Sequence, residues 1–138
     1  EEVLCAAGEL VSVFDVDTHR QTAVLRGHQH EVLRVTASGA SSLALTQSHD
    51  LTILWDATSW TKRRSLDAQA APMHDARFSP LGDLCGILFH DSRISIWRTA
   101  TLSFEQELLW EGADGPDPAL RRFAMSGKHL VAGGLGKR

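Results

Sequence analysis

Tyrosine is absent from these 138 residues, although four tryptophans and five phenylalanines are present; cysteine occurs only twice and proline four times. Two cysteines far apart, Cys5 and Cys85, cannot build a disulfide framework. Each sits in an apolar stretch and reads as a small core hydrophobe in a reducing, cytoplasmic setting. Long apolar runs are also missing, so the sequence predicts neither membrane insertion nor a secretory signal segment. Excess positive charge is missing too: 14 Lys and Arg stand against 17 Asp and Glu, a formal net charge of -3. That balance gives no electrostatic footprint for nucleic acid, which needs a basic face. The densest basic run, Lys62-Arg63-Arg64, reads as a solvated edge strand whose cations discourage stray pairing.

What is present is repetition. Val11-Ser12-Val13-Phe14-Asp15, Thr52-Ile53-Leu54-Trp55-Asp56 and Ile94-Ser95-Ile96-Trp97-Arg98 align without gaps, placing an aromatic at 14, 55 and 97. A second landmark keeps nearly the same period: turn glycines at 39, 82 and 127, each between two short apolar segments. Within each period, runs of four to six residues rich in β-branched and aromatic types are bounded by Gly, Pro, Ser and Asp. These read as strands, four to a unit, the last of them more polar. Gly39, Gly82 and Gly127 are expected to take the positive φ of a tight reversal, and Pro80 to preset the start of its turn. Gly112 to Pro118 breaks the rhythm as a longer loop between units.

The residues then carry a family resemblance. Ala76-Arg77-Phe78-Ser79-Pro80-Leu81-Gly82, with Asp91 six before Trp97, resembles the WD-repeat pattern almost position by position. Gly27-His28 followed by Ser48-His49-Asp50 and Trp55-Asp56 is similar to the span that names that family. The fold implied is all-β: a WD-repeat β-propeller fragment, with two complete four-stranded blades and a partial blade at each end. Residues 1–138 are expected to form part of one propeller, in units of approximately 1–27, 28–69, 70–112 and 113–138. A ring closes with roughly four to eight blades, so further blades of a longer parent chain are expected outside these residues. The resemblance also implies a buried network of the Gly-His histidine, a Ser or Thr, the turn Asp and the strand Trp. One unit supplies every member: His28, Ser48 or Thr46, Asp50 and Trp55. The others depart from it, with Phe14 and Asp15 in place of Trp-Asp, Arg98 in place of the third Asp, and Leu66-Asp67-Ala68 where a Gly-His would stand. The run from the shortened second turn through Lys62-Arg63-Arg64, Phe89-His90-Asp91 and Ala132-Gly133-Gly134 is more closely similar to the amino-terminal propeller of the centrosomal and ciliary WD-repeat, TBC-domain proteins.

Catalytic signatures are weak. Of seven histidines, His28-x-His30 is the nearest thing to a ligand pair, but a zinc site wants four convergent ligands, so no metal and no cofactor are expected. His49-Asp50 and His90-Asp91 recur 41 apart and read as turns whose Asp bonds local backbone N–H groups, not as acid–base dyads. Gly133-Gly134-Leu135-Gly136-Lys137 lacks the spacing and the Ser or Thr of a phosphate loop. Trp60 and Trp110 fall in or beside outer strands, as candidate partner contacts or as packing against a neighbouring blade. The sequence therefore predicts a non-enzymatic scaffold that binds other proteins through its loops, in cytoplasm and, by the closer resemblance, at cytoskeleton, centrosome or cilium. The alternative is a regulatory propeller attached to a Rab-GAP-like TBC domain that acts on small GTPases; no Arg-Gln pair with the surrounding motif is visible in this stretch.

Overall fold

A computed structural model describes residues 1–67, 71–109, 120–127 and 129–134. Among the described residues there are thirteen strands and no helix. The first sheet holds β1 (Glu2–Ala7), β2 (Leu10–Asp15) and β3 (Arg20–Leu25); the second holds β4 (Arg34–Ser38), β5 (Leu43–Gln47), β6 (Leu51–Asp56) and β7 (Thr61–Asp67). The third holds β8 (Met73–Phe78), β9 (Leu84–Phe89), β10 (Arg93–Arg98) and β11 (Ser103–Leu109), and β12 (Leu120–Met125) pairs with β13 (Leu130–Gly134). Neighbouring strands are antiparallel throughout. The two four-stranded blades and the partial sheets on either side match the architecture read from the repeat.

Period-two alternation sends successive side chains to opposite faces, so the central strands supply two cores each. From the second sheet, Ala44, Ile53 and Trp55 pack on Val11, Val13 and Leu25 of the first. Leu43, Leu45 and Leu54 face the other way, onto Met73, Ala76, Cys85, Ile87 and Phe89 of the third. Leu88, Ile94 and Ile96 then meet Leu120 and Phe123. The apolar cores thus lie between blades. Strands β7 and β11 are almost wholly exposed, including Lys62, Arg63 and Arg64, as the outer strand of a blade should be.

Two local devices recur beneath the aromatic landmark. The ladder slips between Val13 and Phe14, Leu54 and Trp55, and Ile96 and Trp97, where Thr22, Arg63 and Glu105 of the neighbouring strand are left unpaired, so a β-bulge on that strand stands opposite each aromatic. In the next turn, His19, Trp60 and Leu102 each adopt a positive φ, of 57°, 54° and 48°.

Two expectations need correction. Of the turn glycines Gly39, Gly82 and Gly127, only Gly82 has positive φ, at 71°. The register aligns Gly39 with Pro80, whose ring demands negative φ, and the left-handed residue of the β4–β5 turn is Ser42 instead. Cys5 is exposed on β1 and is not a core residue; Cys85 is fully buried, and desolvation pushes its thiol up to about 12, so it stays protonated and unreactive. The long loop read at Gly112 to Pro118, and the segment Leu135-Gly136-Lys137, lie outside the described residues.

Gly86 shows how tightly the blades approach. A Cβ on it would sit 2.6 Å from Cε2 of Phe123 on the next sheet. Because Phe123 is itself buried, Gly86→Ala is expected to destabilise the third–fourth interface by about 1–3 kcal/mol. Amide exchange checks this: protection should fall in β12 and β13 while β5 and β6 hold.

Candidate functional site

The connections gather at two rims. On one, the segments that enter each inner strand meet the turns between second and third strands. Val32 N–H donates to the Gly8 carbonyl, Met73 N–H to His49, and His90 N–H to Pro72. On the other rim, Ala57 N–H donates to Ser42 and Thr99 N–H to Asp83. Asp56 shapes its turn there by accepting from the Thr58 hydroxyl and from the Thr58 and Ser59 N–H groups, and these bonds pull its carboxyl down to about 2. Asp15 does the same with Thr18, which holds its carboxyl below the ordinary carboxylate range.

From the first rim a polar chain crosses the second blade. Trp55 Nε1–H donates to Thr46 Oγ1 at 2.9 Å, and Thr46 Oγ1 lies 2.7 Å from His28 Nε2. His28 Nδ1 lies 3.2 Å from Ser48 Oγ, which donates to Asp50 Oδ1 at 2.6 Å. The donors fix the proton order. Ser48 gives its one hydrogen to the carboxylate, so it accepts from His28 Nδ1–H. Burial keeps the imidazole neutral at pH 7, so with its proton on Nδ1 the bare Nε2 accepts from the Thr46 hydroxyl. His28 is therefore the neutral Nδ1–H tautomer, bonded at both nitrogens. Gly27 places it there with its Cα against Ile53, where a Cβ would come within 3.1 Å of Cδ1.

Burial pushes the His28 imidazolium below its ordinary value of 6.5, and Asp50 offsets this in part. An unfolded chain takes up that proton near 6.5, the folded one only at lower pH. The His28 contribution to stability is therefore complete above pH about 6.5 and is lost as pH falls through the folded value. The melting temperature of the wild type should drop between about pH 7 and pH 5 by more than that of His28→Gln; equal slopes would show that His28 is not held neutral.

The other landmarks are placed as follows. Phe14 lies where an indole would stand in the first sheet and has no N–H to offer. Trp97 is half-buried and its Nε1 finds no acceptor among the described residues, because Ile87 occupies the register position that Thr46 holds in the second sheet. Asp91 accepts from Arg93 N–H and from Arg93 Nε, in keeping with a local turn. Asp50 does not follow that reading: its bonds go to the Ser48 hydroxyl and to His30 Nδ1, at 3.1 Å, because its turn is one residue shorter than that of Asp91. The pairing of His28 with His30 is also not what the fold makes. His28 points into the network, while His30 joins His49, with ring centroids 4.6 Å apart, and Asp50. Trp60 is partly buried against the first–second core and donates Nε1–H to the Glu2 carboxylate at 3.2 Å. Trp110 lies outside the described residues.

One structural residue escaped the sequence reading. Asp75 on β8 is fully buried, accepts from Ala76 N–H at 3.0 Å, and pairs with Arg34 Nε of the neighbouring blade at 3.2 Å and with Arg77 Nε at 3.4 Å. Gln47 Nε2 donates to its carbonyl. Inner strands β4 and β8 are thus tied by charge as well as by apolar contact. The strand reads Met73-His74-Asp75-Ala76-Arg77-Phe78, with polar residues on either side of the Asp, so the sequence carried no signal for a buried carboxylate.

No family model matches the chain. It is 28% identical over 137 residues to TBC1 domain family member 31 of Oryzias latipes, covering 97% of this chain and 13% of that protein. The Xenopus tropicalis protein of the same name gives 28% over 97% of this chain and 12% of its own length, and the human one 27% over 78% and 10%. The chain thus spans about an eighth of the first two relatives. Among solved structures, U3-55K and the RRP9 WD40 repeats each superpose with a TM-score of 0.81 at 16% identity, over 95% of this chain and 41% of theirs. That likeness and the stacked four-stranded sheets agree: these residues are a run of WD-repeat β-propeller blades, similar to a stretch of TBC1 domain family member 31.

Proposed function

We propose that these blades are part of a non-enzymatic scaffold that binds other proteins through its rims. The observation that carries this is the division of labour between core and rim. Apolar packing between sheets fixes every blade against its neighbour, while the turns that bound the sheets project from that rigid base. Exposed apolar side chains stand on both rims: Leu33 on the one that carries His28, and Leu81 on the opposite one, 73% exposed. We propose a setting in cytoplasm, at centrosome, cilium or another microtubule-associated assembly, on the resemblance read in the sequence, with protein partners; the net charge of -3 speaks against nucleic acid, and the short apolar runs against membrane insertion.

The relatives' name supplies a second reading, a regulatory propeller attached to a Rab-GAP-like TBC domain acting on small GTPases. One set of variants separates the two. In cells, proximity labelling by the full-length protein should lose a discrete set of partners with Leu33→Glu or Leu81→Glu, whichever rim they use, while GTPase stimulation stays unchanged. Unaltered partners with both variants, or altered GTP hydrolysis alone, would refute the scaffold reading.

A further inference from the structure

We propose that His30, His49 and Asp50 form a binding site for a divalent transition-metal cation of the zinc class. One donor atom from each residue, two imidazole nitrogens and a carboxylate oxygen, lies within 4.8 Å of the others. Around a tetrahedral zinc with bonds of about 2.0–2.1 Å, ligand atoms stand roughly 3.3 Å apart. His30 and His49 are exposed, so side-chain rotation closes that difference without moving the backbone.

The carboxylate is already oriented for the task. Ser48 holds Oδ1 at 2.6 Å and is itself bonded to buried His28, which leaves Oδ2 facing His30. Such outer-shell bonds hold a ligand in place and raise its affinity. The backbone of His49 is fixed by its carbonyl, which accepts from Met73 N–H of the next blade. Two neutral imidazoles and one carboxylate are borderline donors that suit zinc better than calcium or magnesium. Three protein ligands leave a fourth position for water. Cation binding replaces the His30–Asp50 hydrogen bond, and the displaced groups become ligands.

The third blade gives a built-in contrast. His74 and His90 also stack edge to face, with centroids 4.8 Å apart, but the adjacent Asp91 is occupied by Arg93 Nε at 2.7 Å. The carboxylate next to that pair in sequence is already paired with a guanidinium.

Zinc alone is the probe. The full-length protein, His30→Ala, His49→Ala and the matched control His90→Ala are titrated with zinc against a chromophoric chelator, with the fold checked by circular dichroism. Wild type and His90→Ala should bind one zinc per chain that His30→Ala and His49→Ala bind at least about tenfold more weakly. If a variant lost its fold, His30→Gln and His49→Gln would be read in its place. Zinc binding equal in all four proteins, or no binding by wild type, would overturn the assignment.

Discussion

His28→Ala is expected to destabilise the second blade by about 3–4 kcal/mol, the largest effect of any single substitution in the network. Truncation removes the acceptor of the Thr46 hydroxyl and the donor to Ser48 at once. Both hydroxyls are fully buried in the intact blade. The Thr46 hydroxyl hydrogen loses its acceptor, at about 1–3 kcal/mol, Ser48 keeps Asp50 and Leu51 N–H but loses its third partner, and the space vacated by the ring adds a cavity term. Trp55→Phe is the milder probe. It removes one donor to Thr46 and leaves the bond from Thr46 to His28, for a cost of about 1–2 kcal/mol. Native-state amide exchange in β5 and β6 reads both, and it reports on this blade even inside a longer protein. An effect of His28→Ala no larger than that of Trp55→Phe would mean that the histidine fills space without organising its neighbours.

The second large effect lies between blades. Asp75→Ala should cost about 3 kcal/mol, the lower edge of what breaking a buried ion pair costs. The lower edge applies because Arg34 and Arg77 keep partial access to water, with side-chain exposures of 33% and 44%. Asp75→Asn keeps an acceptor for Ala76 N–H and should cost less than alanine. Exchange protection should fall first in β4 and β8, the two inner strands that the pair ties together. Loss confined to the outer strands β7 and β11 would show that Asp75 does not bridge the blades.

The architecture was legible because a propeller writes its period into the chain. Phe14, Trp55 and Trp97 mark the next-to-last strand of the first three sheets, and alternation around them gives the two buried faces without reference to anything distant. The network was legible for a different reason: His28, Ser48, Asp50 and Trp55 stand within 28 residues in a pattern that resembles a known one. What sequence could not supply was long-range and aperiodic. Arg34 and Asp75 meet only because two inner strands run side by side, and nothing at either position repeats. His30 and His49 belong to separate connections that converge on a rim. The bulge opposite each aromatic leaves no residue signature, since Thr22, Arg63 and Glu105 are ordinary residues of polar outer strands. The expectation for Gly39 failed because a turn glycine was equated with positive φ, whereas its register position is the one Pro80 holds.

The sharpest test of the account is a double-mutant cycle between His28→Ala and Trp55→Phe, read by exchange in β5 and β6. The central claim is that Trp55, Thr46, His28, Ser48 and Asp50 act as one unit that locks this blade. If so, the second substitution costs less once the first has broken the chain, with a coupling of about 1 kcal/mol or more. Effects that add to within roughly 0.3–0.5 kcal/mol would contradict it, leaving five separate polar contacts in a blade held by apolar packing alone.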